Sequence, residues 1–124
     1  MKKSVLIIDD EVALTKGLER LLRKDFIVST SNSVSGALEE ISRKCPDCLL
    51  LDIRMPVQGG IELLTHVKLK WPGLPSVVMT GGASMGEVQN ILNLGASGYI
   101  EKPLNIDYLK VILQNSIEGK SDKA

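Results

Sequence analysis

The sequence has few aromatic residues and no excess of charge of either sign. Trp, Tyr and Phe make up 3% of the 124 residues, too few for the stacking surfaces that hold flavins or single-stranded nucleic acid. Fifteen Lys and Arg balance fifteen Asp and Glu, whereas proteins that bind nucleic acid or anionic membranes usually carry a basic excess. No apolar run approaches the ~20 residues of a membrane span, and the first residues lack the cleavage site of a signal peptide. We expect a cytoplasmic protein without a direct nucleic-acid or membrane partner.

The chain has only two cysteines, Cys45 and Cys48, in a C-x-x-C arrangement. In thioredoxin-like redox proteins this motif opens a helix, whose dipole lowers the pKa of one thiol. Here the motif instead precedes a buried strand, at the end opposite to the one where sites form. Two ligands are also too few for a structural zinc site. We therefore expect ordinary buried and boundary cysteines without a redox or metal role.

Short apolar runs recur along the chain and predict strands. Residues 5–8, 48–51 and 77–79 are unbroken apolar segments, which is typical of strands buried on both faces of a parallel sheet. Residues 27–30 and 98–101 are more polar. We expect these two segments to be the edge strands.

The segments between the strands carry hydrophobic residues at the spacing of amphipathic helices. Ser84 and Glu87 have the spacing of a capping box for the fourth helix, and Gly95 is placed to end that helix. The hydrophobic stripes are Leu14, Leu18, Leu21 and Leu22; Val34, Ala37, Leu38 and Ile41; Ile61, Leu64 and Val67; Val88, Ile91 and Leu92; and Ile106, Leu109, Leu113 and Ile117.

Five strand–helix units in strict alternation predict a parallel sheet covered by helices on both faces. With the second and fifth strands as edges, the preference of consecutive strands for neighbouring places favours the order 2-1-3-4-5. Right-handed crossovers then place helix 1 on one face and helices 2, 3 and 4 on the other, and helix 5 can fold back beside helix 1. We expect a single domain with a doubly wound, flavodoxin-like α/β fold of five strands and five helices.

Polar residues follow four of the five predicted strands. Residues 9–11 (Asp-Asp-Glu) follow the first strand, Asp52 the third, Thr80 the fourth and Lys102 the fifth. Open α/β sheets bind ligands beyond the carboxyl ends of their strands, at the point where the strand order reverses, and that point lies here between strands 1 and 3. A lone acidic residue at a strand end often only caps the next helix. For Glu11, such a capping role is as good an interpretation as a role in the site.

The clustered carboxylates predict a divalent cation. Like charges ~4 Å apart repel by roughly 4 kcal/mol at intermediate dielectric, and Lys102 can offset only one of them. Oxygen ligands at an aqueous edge favour Mg²⁺, and the only histidine, His66, falls in the middle of helix 3, on a face that we expect to be solvated. The sequence has no Gly-rich loop to hold a nucleotide. An aspartate beside Mg²⁺, a lysine and a hydroxyl can itself accept a phosphoryl group.

Four segments together identify a family. Residues 6–11 (LIIDDE), 51–56 (LDIRMP), 79–82 (MTGG) and 99–103 (YIEKP) resemble, in order and spacing, the receiver domains of bacterial two-component response regulators. The similarity extends over residues 4–118. Residues 59–60 (Gly-Gly) depart from the common pattern, which has Asp or Asn before the glycine that opens helix 3.

The resemblance implies roles for the residues at the carboxyl edge. Asp52 matches the phosphoacceptor, and Asp9 and Asp10 match the pair that holds Mg²⁺ with Asp52 and the main-chain carbonyl of Arg54. Lys102 matches the lysine that pairs with the phosphoryl group, and its peptide bond with Pro103 is often cis in this family.

The resemblance also implies a switch. Thr80 matches the residue whose hydroxyl moves to a phosphoryl oxygen. Tyr99 matches the aromatic residue that then moves into the vacated space, and this movement changes the surface of helix 4, strand 5 and helix 5. The implied partners are a sensor histidine kinase or phosphotransfer protein and a C-terminal effector domain or second receiver. In the plainer interpretation, Thr80 merely ends a strand and Tyr99 is an ordinary edge aromatic.

Two other functions stay open at this stage. A Mg²⁺-dependent phosphatase or phosphotransferase with an aspartyl nucleophile would use the same residue types, but such enzymes usually place the nucleophile after strand 1 and carry an inserted cap. A flavodoxin-like electron carrier is disfavoured by the scarce aromatics and the acidic edge. We expect a signalling domain over residues 1–118 that catalyses only its own phosphorylation and dephosphorylation, and a polar tail, 119–124, that begins a linker.

Overall fold

Strands and helices alternate along the whole of the described chain. The structure is a computed structural model that describes residues 2–55, 59–82 and 84–119. The strands are β1 (Lys3–Ile8), β2 (Phe26–Ser31), β3 (Cys48–Asp52), β4 (Ser76–Thr80) and β5 (Gly98–Glu101). The helices are α1 (Val12–Leu22), α2 (Val34–Arg43), α3 (Gly60–Lys70), α4 (Met85–Asn93) and α5 (Ile106–Ile117).

The five strands form one parallel sheet in the order β2-β1-β3-β4-β5. The predicted strand order and the predicted edge strands are therefore confirmed. All the strands run in the same direction, so their carboxyl ends meet at one edge of the sheet. The order reverses between β1 and β3, and this is where ligands bind in open α/β sheets.

The sheet separates two hydrophobic cores. Successive residues of β1 point to opposite faces, so Leu6 and Ile8 belong to one core, while Val5 and Ile7 belong to the other. Helices α2, α3 and α4 cover the first core and α1 and α5 cover the second, as the crossover rule predicted. Burial on both faces explains why residues 5–8 of β1, 48–51 of β3 and 77–79 of β4 are uninterrupted apolar segments.

Two residues of the predicted helical stripes do not face the core. Leu21 is 52% exposed and Ile61 is 43% exposed. At 3.6 residues per turn, Leu21 lies about 60° around the axis from Leu18, on the side opposite to the buried Thr15. In α3, Ile61 is displaced in the same way from the buried arc that contains Leu63. The prediction was wrong there because an apolar stripe can be wider than the arc that contacts the sheet.

The ends of α3 and α4 show how local sequence places helices beside the carboxyl edge. Ser84 and Glu87 form the predicted capping box, and Gly95 follows α4 with a φ of +104°. Gly59 precedes α3 with a φ of +75°, a conformation that residues with a side chain rarely adopt. A Cβ atom on Gly60 would lie 2.5 Å from the main-chain oxygen of Asp52. The two glycines therefore let α3 start in direct contact with the end of β3.

Within the part of the chain that the structure describes, none of the helices combines the length and the apolar character needed to cross a membrane.

The two cysteines differ in accessibility. Both thiols are free; Cys45 is exposed, and Cys48 is fully buried at the start of β3. Burial raises the pKa of Cys48 to about 12, and burial together with the charge of Asp47 also raises the pKa of Cys45. Neither environment stabilises a thiolate, which is the reactive form of cysteine.

We expect the native protein to react with one equivalent of a thiol reagent such as Ellman's reagent, and with a second equivalent only after denaturation. The first reaction should be slower than that of free cysteine, because the pKa of Cys45 is raised. Cys45→Ser is the matched control, and it should leave the native protein unreactive. Rapid labelling of Cys48 in that variant would contradict the assignment of a buried, neutral thiol.

Candidate functional site

Three carboxylates meet at the carboxyl edge of the sheet, between β1 and β3. Asp9 follows β1 directly and is fully buried, Asp10 is exposed, and Asp52 is the last residue of β3 and is 8% exposed. Carboxylate oxygens of the three residues lie within 4.8 Å of one another. The parallel pairing of β1 with β3 therefore brings together the acidic residues that the sequence analysis selected.

Lys102 joins the carboxylates from the loop between β5 and α5. Its Nζ lies 3.3 Å from Asp9 Oδ2 and 3.3 Å from Asp52 Oδ2. Its main-chain N–H donates to the carbonyl of Thr80 over 2.7 Å, which fixes the start of this loop on β4. The peptide bond between Lys102 and Pro103 is cis, as the resemblance implied.

Main-chain N–H groups hold the other oxygen of each buried carboxylate. The N–H of Glu11 donates to Asp9 Oδ1 over 2.9 Å, and the N–H of Arg54 donates to Asp52 Oδ1 over 3.0 Å. Each aspartate thus bonds the N–H two residues further along the chain, as in an Asx turn. Asp9 and Asp52 therefore both present Oδ2 to Lys102 in a fixed orientation.

Burial and the neighbouring charges shift the pKa of two of these groups. Burial raises the pKa of Asp9, and the negative charge of Asp52 adds to this, against the N–H of Glu11 and the ammonium of Lys102. Burial disfavours the charged form of Lys102, but the combined attraction of Asp52 and Asp9 outweighs it and raises its pKa. The lysine is therefore held in its charged form between the two aspartates.

The donor set fits a hard divalent cation. Three carboxylates face a single ammonium, which leaves an excess of negative charge. Carboxylate oxygens at a partly hydrated edge are the ligands that Mg²⁺ prefers, and Mg²⁺ commonly binds through one or two of them with water in the remaining positions. His66 cannot contribute, because it is exposed on α3 with its ring 6.4 Å from that of Trp71. Its predicted solvated position is confirmed.

Thr80 presents a hydroxyl group at the end of β4, the strand next to β3. It is the last residue of β4 and fully buried, and its Oγ1 has no hydrogen-bond partner among the described residues. Buried hydroxyl groups are normally hydrogen-bonded, so an unpaired one needs an explanation. The chain continues with Gly81 and Gly82, and a Cβ on either would meet no atom within 4 Å. The end of β4 therefore has both a free hydrogen-bonding group and space beside it.

Tyr99 lies outside the carboxylate cluster. It pairs with Val78 in β4, two residues before Thr80, and is half-buried against the core beneath α4. With Met85 and Val88 it lines a groove of about 750 Å³ between α4, β5 and α5. The structure therefore places Tyr99 where β5 and α4 meet.

Arg54 and Glu11 bond the aspartates through their main-chain N–H groups. Arg54 Nη2 lies 3.3 Å from Glu87 Oε2, in an ion pair with both side chains about half exposed. Glu11 is the N-cap of α1, but its side chain makes no capping hydrogen bond. The interpretation of Glu11 as a side-chain cap is therefore wrong.

Two residues beside the site were not predicted from the sequence. Asn32 donates to the main-chain oxygen of Asp9, and Glu87 pairs with Arg54. Asn32 could have been found, because it follows β2, whose carboxyl end lies at the same edge of the sheet as that of β1. The ion pair of Glu87 could not have been predicted in this way, because the capping-box spacing already accounted for the presence of Glu87 in the sequence.

Comparisons with known proteins agree with this geometry. The family model described as "Response regulator receiver domain" matches residues 5–114. The chain is 31% identical over 117 residues to the DNA-binding transcriptional regulator NtrC of Proteus hauseri, covering 94% of this chain and 25% of that protein. It is 34% identical over 114 residues to the transcriptional regulatory protein ZraR of Klebsiella oxytoca, covering 91% of this chain and 26% of that protein.

A solved structure shows the same fold over nearly its whole length. The response regulator receiver domain protein of Clostridium thermocellum superposes with a TM-score of 0.89 at 26% identity, covering 94% of this chain and 95% of the other. By contrast, the chain spans only about a quarter of the length of the curated relatives. The family model covers most of the described residues, including β1 from residue 5 onwards and the whole of the other four strands. The chain therefore belongs to the response regulator receiver domain family.

Proposed function

We propose that the chain is a phosphorylation-activated signalling switch that accepts a phosphoryl group on Asp52 with the help of Mg²⁺. The observation that carries this proposal is the position of the Asp52 carboxylate at the end of β3, within 4.8 Å of Asp9 and Asp10 and 3.3 Å from Lys102. Asp52 keeps 8% of its surface exposed, so a donor can approach it. We propose a histidine kinase or a phosphotransfer protein as that donor.

The residues that would hold Mg²⁺ are Asp9, Asp10 and Asp52, together with the main-chain carbonyl of Arg54. When bound, Mg²⁺ would neutralise phosphoryl oxygens and the excess charge of the carboxylates. Because the N–H groups of Glu11 and Arg54 already orient Asp9 and Asp52, little rearrangement of these two side chains is needed to receive the ion.

The aspartate acts as the nucleophile in the proposed transfer. A carboxylate oxygen of Asp52 forms a bond to phosphorus while the bond between phosphorus and the donor nitrogen breaks, and the donor imidazole keeps the electron pair. Lys102, charged and 3.3 Å from Asp52 Oδ2, is positioned to pair with an oxygen of the incoming group. Positioning and charge stabilisation account for most of the catalysis of phosphoryl transfer. In this proposal the accepting aspartate belongs to the domain itself, so the domain acts on its own side chain rather than on a released substrate.

Thr80 and Tyr99 are the proposed elements of the switch. The phosphoryl group carries roughly −1.5 to −2 charges in place of the single charge of the carboxylate. It also supplies hydrogen-bond acceptors for the Thr80 hydroxyl, which has no partner among the described residues. Movement of Thr80 would carry Gly81 and Gly82 with it, and the groove beside Tyr99 provides room for the ring to change position. The surface of α4, β5 and α5 would then differ between the two states.

We propose that residues 1–118 form the receiver unit and that 119–124, of which only Gly119 is described, begin a linker to an effector region. The much greater length of the NtrC and ZraR relatives supports this proposal. A second receiver is the other partner that we propose for the surface of α4, β5 and α5.

Asp52→Asn should abolish labelling by acetyl phosphate and Mg²⁺, because an amide cannot form the acyl phosphate. Intact-protein mass spectrometry measures the labelled fraction. Asp107→Asn, an exposed substitution in the first turn of α5, is the matched control and should label normally. Labelling of the wild type should stop at one phosphoryl group per chain. Undiminished labelling of Asp52→Asn would refute the assignment, and sustained turnover of acetyl phosphate would favour a phosphatase.

Asp10→Asn should weaken Mg²⁺ binding at least tenfold. A unit charge and a dication ~4 Å apart attract by about 2 kcal/mol even at the dielectric of water. The same change should raise the melting temperature of the metal-free protein, because it removes repulsion from Asp9 and Asp52. Calorimetric titration and thermal melting measure the two effects, with Glu11→Gln as control. Equal Mg²⁺ affinities of wild type and Asp10→Asn would exclude Asp10 as a ligand.

Thr80→Ala should still accept the phosphoryl group but lose most of the response in α4 and β5. NMR chemical shifts with and without beryllofluoride, a mimic of the aspartyl phosphate, report this response. The variant should bind beryllofluoride at Asp52 and show small shift changes at Tyr99 and in α4. The coupling mechanism is wrong if the variant shows the full wild-type change at those positions.

A further inference from the structure

We propose that Asn32, in the loop between β2 and α2, is a positioning residue for the acidic pair Asp9 and Asp10. Its side chain fixes the peptide group that joins these two residues. The inference rests on the proposed function, because it concerns the affinity of the site for Mg²⁺. None of the motifs of the site includes Asn32.

The contacts of Asn32 define a specific role for its amide group. Nδ2 donates to the main-chain oxygen of Asp9 over 2.8 Å and to Thr15 Oγ1 over 3.1 Å. The Thr15 hydroxyl donates its own proton to the carbonyl of Val12 over 3.0 Å, so it accepts from Asn32. Both partners are therefore acceptors, and only a side chain with two N–H groups at this place satisfies both.

The oxygen that Asn32 binds belongs to the peptide group between Asp9 and Asp10. A peptide group is planar and contains the Cα atoms of both residues that it joins. Fixing its oxygen therefore fixes the direction in which the chain proceeds to the Cα of Asp10. The side chain of Asp9 is already held by the N–H of Glu11 and by Lys102. Asn32 thus acts mainly on the placement of Asp10, which is exposed.

The start of α1 increases the need for this contact. Its N-cap residue, Glu11, provides no side-chain cap, so residues 9–11 are not secured from the helix side by the usual hydrogen bond. Repulsion among the carboxylates of Asp9, Asp10 and Asp52 favours displacement of the loop when no cation is bound. Asn32 is neutral, so it opposes that displacement without altering the charge that a cation meets.

The test compares Mg²⁺ binding by the wild type, Asn32→Leu and Thr15→Val. Leucine has nearly the shape of asparagine but no donor, and calorimetric titration should show Mg²⁺ affinity lower by roughly tenfold, as for other residues that orient metal ligands. Thr15→Val is the matched control: it removes the second acceptor of Asn32 and the bond to Val12 but leaves the bond to Asp9. It should lower the melting temperature and leave Mg²⁺ affinity unchanged.

The outcomes distinguish failure of the positioning role of Asn32 from failure of the proposed function. Unchanged affinity in Asn32→Leu, or an equal loss in Thr15→Val, would overturn the positioning role and leave the proposed function intact. Absence of Mg²⁺ binding by the wild type would overturn both. If Asn32→Leu does not fold, Asn32→Ser replaces it, because serine is polar but too short to reach the Asp9 carbonyl. Asn32→His has a ring N–H that can reach the same oxygen. A higher Mg²⁺ affinity of Asn32→His than of Asn32→Leu would support the hydrogen bond as the cause.

Discussion

Lys102 is the charge on which the arrangement of the site depends. The parallel sheet brings three carboxylates to within 4.8 Å, two of them buried, and the Lys102 ammonium lies between those two at 3.3 Å from each. Burial disfavours the charged form of Asp9, and the ammonium of Lys102 acts against this. The pKa of Asp9 is raised even so. A single ammonium thus keeps the cluster assembled but leaves it with an excess of negative charge.

Main-chain hydrogen bonds orient the two buried carboxylates, which charge alone would not do. Asp9 and Asp52 each bond the N–H two residues ahead through Oδ1 and turn Oδ2 to Lys102. This repeated construction arises because both residues stand where a buried strand ends and the chain turns towards a helix. At the end of β3 the turn is made tight by Gly60, whose missing Cβ lets α3 begin against the main chain of Asp52. The geometry of the carboxylates is therefore a consequence of how the strands end.

Much of this could be predicted from the sequence, because burial and alternation leave strong signals. Apolar runs identified the central strands, and the order of the strands placed the carboxyl ends of β1 and β3 side by side. The outcomes for Leu21 and Asn32 show where such signals stop. Leu21 is exposed because the arc of α1 that contacts the sheet is narrower than its apolar stripe. The place of Asn32 after β2 puts it at the carboxyl edge of the sheet. Its partner, however, is a main-chain oxygen 23 positions away, and neither its residue type nor its neighbours in sequence indicate that hydrogen bond.

The hydroxyl of Thr80 bears on the charge balance of the site, because Thr80 ends β4, the strand next to β3. Three carboxylates and one ammonium leave two negative charges, which a dication would balance. Under the proposed function, a phosphoryl group on Asp52 disturbs that balance by adding negative oxygens at the place where Lys102 already points. Lys102 cannot satisfy them all, and the remaining demand is for a neutral hydrogen-bond donor close by. Thr80 is buried and is followed by two glycines, and its hydroxyl has no partner in the part of the chain that the structure describes. A group that costs stability while it is unpaired gains most from the state that pairs it. Under the proposed function, Thr80 would therefore weaken the unphosphorylated form and favour the phosphorylated one.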